Sequence, residues 1–114
     1  MTIRVEEYLR ADGANPFRRW FDRLDPMAAV KVTVALGRLG AGHRSAIKWL
    51  RGIGEYRIDW GPGYRIYLAQ DGPDLILLLG GGTKRRQQAD LTRATELHQE
   101  YQARKGTQAS TRRK

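Results

Sequence analysis

The stretch Glu55-Tyr56-Arg57-Ile58-Asp59-Trp60-Gly61-Pro62-Gly63-Tyr64-Arg65-Ile66-Tyr67-Leu68 decides the fold. Tyr56, Ile58 and Trp60 alternate with charged residues, Gly61-Pro62-Gly63 turns the chain, and Tyr64, Ile66 and Leu68 alternate again. Period two on both sides of such a turn predicts an antiparallel hairpin. A three-residue loop would set Trp60 opposite Tyr64, Asp59 opposite Arg65 and Arg57 opposite Tyr67. Side chains alternate between faces, so Arg57, Asp59, Arg65 and Tyr67 share one face and the apolar set packs under helices on the other. The charged face has two readings. Either Arg65 pairs with Asp59 on a solvated surface, or two guanidiniums and a phenol form a patch for an anion.

Outward from the hairpin, Leu75–Leu79 is apolar on both faces and belongs inside the sheet. Ile47–Leu50 reads as a short strand, with Arg51-Gly52-Ile53-Gly54 a break, and residues 2–9 read as an N-terminal strand. Asn15-Pro16 is a cap followed by proline, and Phe17, Trp20, Phe21 and Leu24 then mark one helical face. Asp25-Pro26 repeats the signal and starts a helix with Ala28, Val32, Ala35, Leu36 and Leu39 inward, ended by Gly40-Ala41-Gly42. So short a connection predicts a helical hairpin. Gly80-Gly81-Gly82 reads as a flexible lead into Lys84-Arg85-Arg86, and a last helix runs from about Gln87 to about Arg104. The expected fold class is α+β: one domain over 1–104, with 105–114 a basic flexible tail.

The 114 residues carry 21 basic and 12 acidic side chains, a net charge of +9. Residues 1–30 are balanced, residues 31–102 carry an excess of four, and residues 103–114 add five basic and no acidic. The middle segment is therefore the informative one, and it points to a polyanionic partner. With no cysteine there are no disulfides, thiol nucleophiles or zinc–thiolate sites. The longest apolar run, Leu75–Leu79, is far short of the roughly 20 residues of a membrane span, so no membrane association is expected. Acidic residues are scattered without metal-ligand spacing, and no metal or cofactor is expected. Lys84-Arg85-Arg86 follows a strand at a sheet edge, where the first amides of the last helix can also face an anion. The glycines before it do not make a P-loop, which needs Gly-x-x-x-x-Gly-Lys-Ser/Thr. His43 and His98 lie too far apart in this topology to pair as acid and base.

Three groups of residues carry a family resemblance: Asn15-Pro16-Phe17 with Trp20, the block Gly54–Tyr67, and Leu78-Leu79-Gly80-Gly81 through Lys84, Gln87 and Asp90. From about Val5 to about Tyr101 the sequence resembles the RelE/ParE superfamily of type II toxins, in its HigB-like "addiction module killer protein" branch. The resemblance implies a small α+β domain made of an N-terminal strand, a helical hairpin, an antiparallel β-sheet and a C-terminal helix. It implies a cytoplasmic toxin, either a ribosome-dependent mRNA endoribonuclease (an mRNA interferase) or a non-nucleolytic inhibitor of DNA gyrase. A degenerate module that only binds its antitoxin is the third reading. It further implies a cognate helix-turn-helix antitoxin and, through their complex, operator DNA.

Carried over by position, Arg65 meets the scissile phosphate, with Arg57 and Lys84 at other basic positions of the site. Arg85, Arg86, Gln87 and Tyr67 are the expected RNA contacts. RelE itself has a base-stacking tyrosine on the closing helix where Leu91 stands here, which leaves Tyr67 as the aromatic for that role. Attack by an adjacent 2′-OH needs a base, cations for the phosphorane charge and an acid for the leaving oxygen. Guanidiniums suit phosphate oxygens but rarely release a proton, so Lys84 is the proton-transfer candidate.

Overall fold

A computed structural model describes residues 3–112, and the side chains of residues 3–106. Thr2 of the expected N-terminal strand, and Arg113 and Lys114 of the expected tail, lie outside the described residues. The elements are β1 (Arg4–Glu7), α1 (Pro16–Phe21), α2 (Pro26–Gly40), β2 (Ile47–Leu50), β3 (Ile53–Ile58), β4 (Tyr64–Asp71), β5 (Leu75–Thr83), a 3₁₀ turn (Lys84–Arg86) and α3 (Gln87–Arg112). The five strands form one sheet in the order β1-β5-β4-β3-β2. Pairs from β5 to β2 are antiparallel, but β1 runs parallel to β5, so the expected antiparallel sheet is a mixed one. The reason is topological: β1 leaves the sheet through two helices instead of a tight turn, and nothing makes it reverse against its neighbour.

Both proline-started helices are capped as their sequences predict. The Asn15 side chain accepts from the Arg18 amide at 3.0 Å, and Asp25 accepts from the Ala28 amide at 2.8 Å. Phe17, Val32, Ala35 and Leu39 pack with Ile47, Tyr56, Ile66, Leu68, Ile76 and Leu78 to form the core on one sheet face. On the other face Tyr8, Ile53, Tyr67, Ala69, Leu77 and Leu79 meet Ala94 and Leu97 of α3. The sheet is thus covered on both sides, which suits the two-sided apolar character of β5. Where a break is expected, Arg51 and Gly52 form a two-residue turn with φ of 53° and 87°, and Leu50 pairs with Ile53. Those angles match the type I′ turn whose twist fits a hairpin, so β3 begins at Ile53.

α3 continues to Arg112, beyond the end near Arg104 that periodicity predicts. Its register on the sheet is held by polar contacts. Glu100 accepts from Tyr8 Oη at 2.6 Å and from Arg10 Nη2 at 2.9 Å, and Arg104 donates to the Leu9 carbonyl at 2.7 Å. Asp71, at the end of β4, accepts from Tyr101 and, at 2.6 Å, from Lys105. Lys105 is therefore engaged with the sheet although the sequence places it in a tail.

The glycines before Lys84 are not a flexible lead. They belong to β5, with Gly80 opposite Tyr67, Gly81 opposite Ile66 and Gly82 opposite Arg65. A Cβ on Gly81 would overlap the Trp20 ring on one face, and a Cβ on Gly82 would overlap the Asp90 carboxylate on the other. Each residue has to be glycine because α1 and α3 press on the strand there. Gly80 has open space at its Cβ position. We predict that Gly81→Ala lowers stability by about 1–3 kcal/mol in urea denaturation, the usual cost of overpacking. Gly80→Ala should stay within about 0.5 kcal/mol of the parent.

Candidate functional site

The β3–β4 hairpin pairs Ile58 with Tyr64, Arg57 with Arg65 and Glu55 with Tyr67. Its connection therefore runs over residues 59–63, two residues longer than a three-residue loop. A shift of two preserves the face that each side chain takes, so Arg57, Arg65 and Tyr67 do share a face. Their opposite numbers differ from the expected ones. Asp59 lies in the loop and does not face Arg65; the pairing of Arg65 with Asp59 is corrected. In its place stands Glu55, which the sequence reading quoted without a role.

Two arginines directly across an antiparallel pair repel. Here Glu55, fully buried, lies between them. Its Oε1 accepts from Arg57 Nε at 3.0 Å and lies 3.3 Å from Arg65 Nε, near enough for an ion pair though poorly aimed for a hydrogen bond. Its Oε2 accepts from Gln87 Nε2 at 2.9 Å. Burial pushes the Glu55 carboxyl up, but the bonds from Arg57 and Gln87 and the adjoining Arg65 guanidinium outweigh it and hold the group below the ordinary glutamate value. The Arg65 side chain is 8% exposed and that of Arg57 44%, so Arg57 presents the accessible guanidinium and Arg65 the anchored one.

Gly63 brings the third expected cation to the same place. With φ of +76° it turns its carbonyl toward both Lys84 N, at 2.8 Å, and Arg65 Nη1, at 3.4 Å. A Cβ on it would stand 3.4 Å from Lys84 Cβ. The Lys84–Arg86 turn is exposed; Lys84 starts it beside Gly63, and Arg86 lies near Asp90. Gln87 is gathered too, but its amide supports Glu55 from the start of α3.

Tyr67 is corrected. It is 1% exposed, inside the core between the sheet and α3, and cannot stack on a base. Its hydroxyl is buried without a hydrogen-bond partner, and burial, with Glu55 and Asp90 nearby, pushes it up to about 12. Leu91 packs against the same core. Asp90, which carried the resemblance without a role, lies against Gly82 with Oδ2 buried and unpartnered; burial raises its carboxyl and Arg86 partly offsets this. His98 is eleven residues along α3 from Gln87, about 16 Å, and lies near Asp71. Among the described residues no group of three or more His, Asp or Glu side chains gathers as a metal site.

No family model matches the sequence, and no solved structure matches it. An uncharacterized protein of Haemophilus influenzae is 37% identical over 102 residues, covering 88% of this chain and 97% of its own length.

Glu55→Ala strands the Arg65 guanidinium in a buried place, and we predict a loss of about 3–5 kcal/mol by denaturant titration. Arg57→Ala removes a hydrogen bond from the buried carboxylate but leaves Arg65 and Gln87 beside it, and should cost less, about 1–3 kcal/mol. A carboxyl held below its unfolded value stabilises fully above that value and loses the contribution as pH falls through the folded one. Stability of the parent should therefore fall through the acid range, and in Glu55→Gln that part of the fall should be missing.

Proposed function

We propose that this chain, which belongs to the same family as the Haemophilus influenzae protein, is the toxin of a type II toxin–antitoxin module, a metal-independent endoribonuclease of RelE/ParE type acting on mRNA at the ribosome. The observation that carries this reading is the Arg57–Arg65 pair, set directly opposite one another and tied by a buried carboxylate. Such a pair costs stability against an apolar equivalent of the same shape, which favours a role in recognising an anion. Lys84, Arg85 and Arg86 add an exposed basic turn that begins beside Gly63, and clustered cations of this kind favour a phosphate backbone.

In this reading Arg57 and Arg65 take the non-bridging oxygens of the scissile phosphate, where guanidinium forks stabilise the charge that builds on the phosphorane. Arg57 does so from the surface and Arg65 from its anchored place beneath. The 2′-oxygen attacks the adjacent phosphorus, its proton leaves to a base, and the P–O5′ bond breaks as the 5′-oxygen takes a proton. The products are a 2′,3′-cyclic phosphate and a 5′-hydroxyl. Lys84 is the side chain here suited to carry a proton to the leaving oxygen. Glu55, paired with two guanidiniums, is a positioning residue that holds them side by side. The ribosome holds the mRNA in line for attack, supplying orientation that so small a site lacks.

The proposed setting is the cytoplasm, with a helix-turn-helix antitoxin that binds the toxin and carries it to operator DNA. Among the described residues no helix is long and apolar enough to cross a membrane.

Induced expression should arrest growth, and primer extension on mRNA should show new 5′ ends. Arg57→Ala and Lys84→Ala should each lower cleavage about 100-fold or more, the scale of a lost acid–base or charge-stabilising group, and relieve the arrest. Inhibited supercoiling without new ends would contradict the ribonuclease and support a gyrase inhibitor. Inactivity in both assays would support a module that only binds its antitoxin.

A further inference from the structure

Among the described residues, three buried side-chain atoms lack a hydrogen-bond partner: Arg65 Nε, Tyr67 Oη and Asp90 Oδ2. They share one small patch between the sheet and α3. Arg65 and Tyr67 are alternate residues of β4, so they leave the strand on one face, about 7 Å apart. Gly82 stands opposite Arg65 and Gly80 opposite Tyr67, and Asp90 covers Gly82. Asp90 and Glu55 both lie near the Tyr67 hydroxyl. There is also room. A Cβ on Gly80 would meet nothing within 4 Å, and a cavity of about 110 Å³ lies against Gly80, Gly81 and Asp90, with the exposed Arg23 and Arg93 on its lining.

Packing gives no reason for the Tyr67 hydroxyl. Phenylalanine would fill the same place in the core, and a buried hydroxyl left unpaired costs stability. The chemistry of the three atoms narrows what could satisfy them. Arg65 Nε presents a proton and a positive charge, which excludes a cation, and the Glu55 carboxylate beside it repels an anion. The guest must be neutral, must accept from Arg65, and must bond the Tyr67 hydroxyl and the Asp90 carboxyl. Water does all three, and needs only a small part of such a cavity.

We propose that Arg65 Nε, Tyr67 Oη and Asp90 Oδ2 together bind one buried water, and that Tyr67 and Asp90 act through it as positioning residues for the Arg65 guanidinium. Glu55 supplies the countercharge to Arg65 but is poorly aimed at Nε, so the water sets the plane of the guanidinium before a phosphate arrives. The water site stands on the packing alone; its effect on cleavage rests on the ribonuclease reading.

The test uses the full chain and nitrogen NMR of the arginine side chains. In the parent the Arg65 Nε–H signal, assigned by its loss in Arg65→Lys, should show a cross-relaxation peak to a long-lived water. Tyr67→Phe keeps the ring in the core. It should shift that signal, remove the water peak and lower the folding equilibrium constant about fivefold, the scale of one net hydrogen bond. A variant as stable as the parent, or an Arg65 signal left unshifted, would overturn the water site. Combined with Asp90→Ala, the loss in folding constant should fall short of the product of the two single losses, and a full product would show that they share no guest. On mRNA-programmed ribosomes Tyr67→Phe should lower kcat about tenfold or more with KM within about twofold, since Arg57 and the basic turn still meet the substrate. An unchanged kcat would overturn the positioning role. A parent that leaves mRNA intact, yet shows the water peak and its loss in Tyr67→Phe, counts against the ribonuclease reading and upholds the water site.

Discussion

One buried carboxylate organises the working end of this domain. Glu55 sits inside the sheet with no exposure, and its oxygens answer to Arg57, Arg65 and Gln87. These three come from β3, β4 and the start of α3, so a single side chain ties the hairpin to the closing helix. Without it the two guanidiniums would repel across the strand pair, and Arg65 would be a buried cation without a counterion. The Lys84–Arg86 turn then takes its place through the Gly63 carbonyl, which receives both the Lys84 amide and the Arg65 guanidinium.

Close packing around β5 fixes the same region from both sides. Trp20 of α1 covers Gly81, and Asp90 of α3 covers Gly82, so the strand passes between two helices with no room for a side chain. The basic turn that follows is therefore launched from a strand held on both faces. A rigid base of this kind suits a site whose chemistry depends on positioned charge rather than on a reactive nucleophile.

Much of this was legible in the residue pattern. Alternation around Gly61-Pro62-Gly63 gave the hairpin, Asn15-Pro16 and Asp25-Pro26 gave both helix starts, and parity placed Arg57 and Arg65 on one face. What escaped it was long-range. Loop length shifted the register by two, and since a shift of two leaves parity unchanged, nothing in the alternation could reveal that Arg57 meets Arg65. Glu55 looked like any outward-facing strand carboxylate, because only the packing of α3 buries it. Tyr67 looked available for the same reason. Gly81 and Gly82 read as flexible because a sequence does not display the Trp20 ring and Asp90 carboxylate that require them.

The central claim is that the Glu55-held arginines and Lys84 stabilise an in-line attack by a 2′-OH. Mass spectrometry of the RNA ends left after purified protein acts on mRNA-programmed ribosomes, with EDTA-treated protein alongside, tests it most directly. The account predicts 2′,3′-cyclic phosphate and 5′-hydroxyl ends in equal yield with and without chelator. Ends carrying 3′-hydroxyl and 5′-phosphate, or intact mRNA, would contradict it.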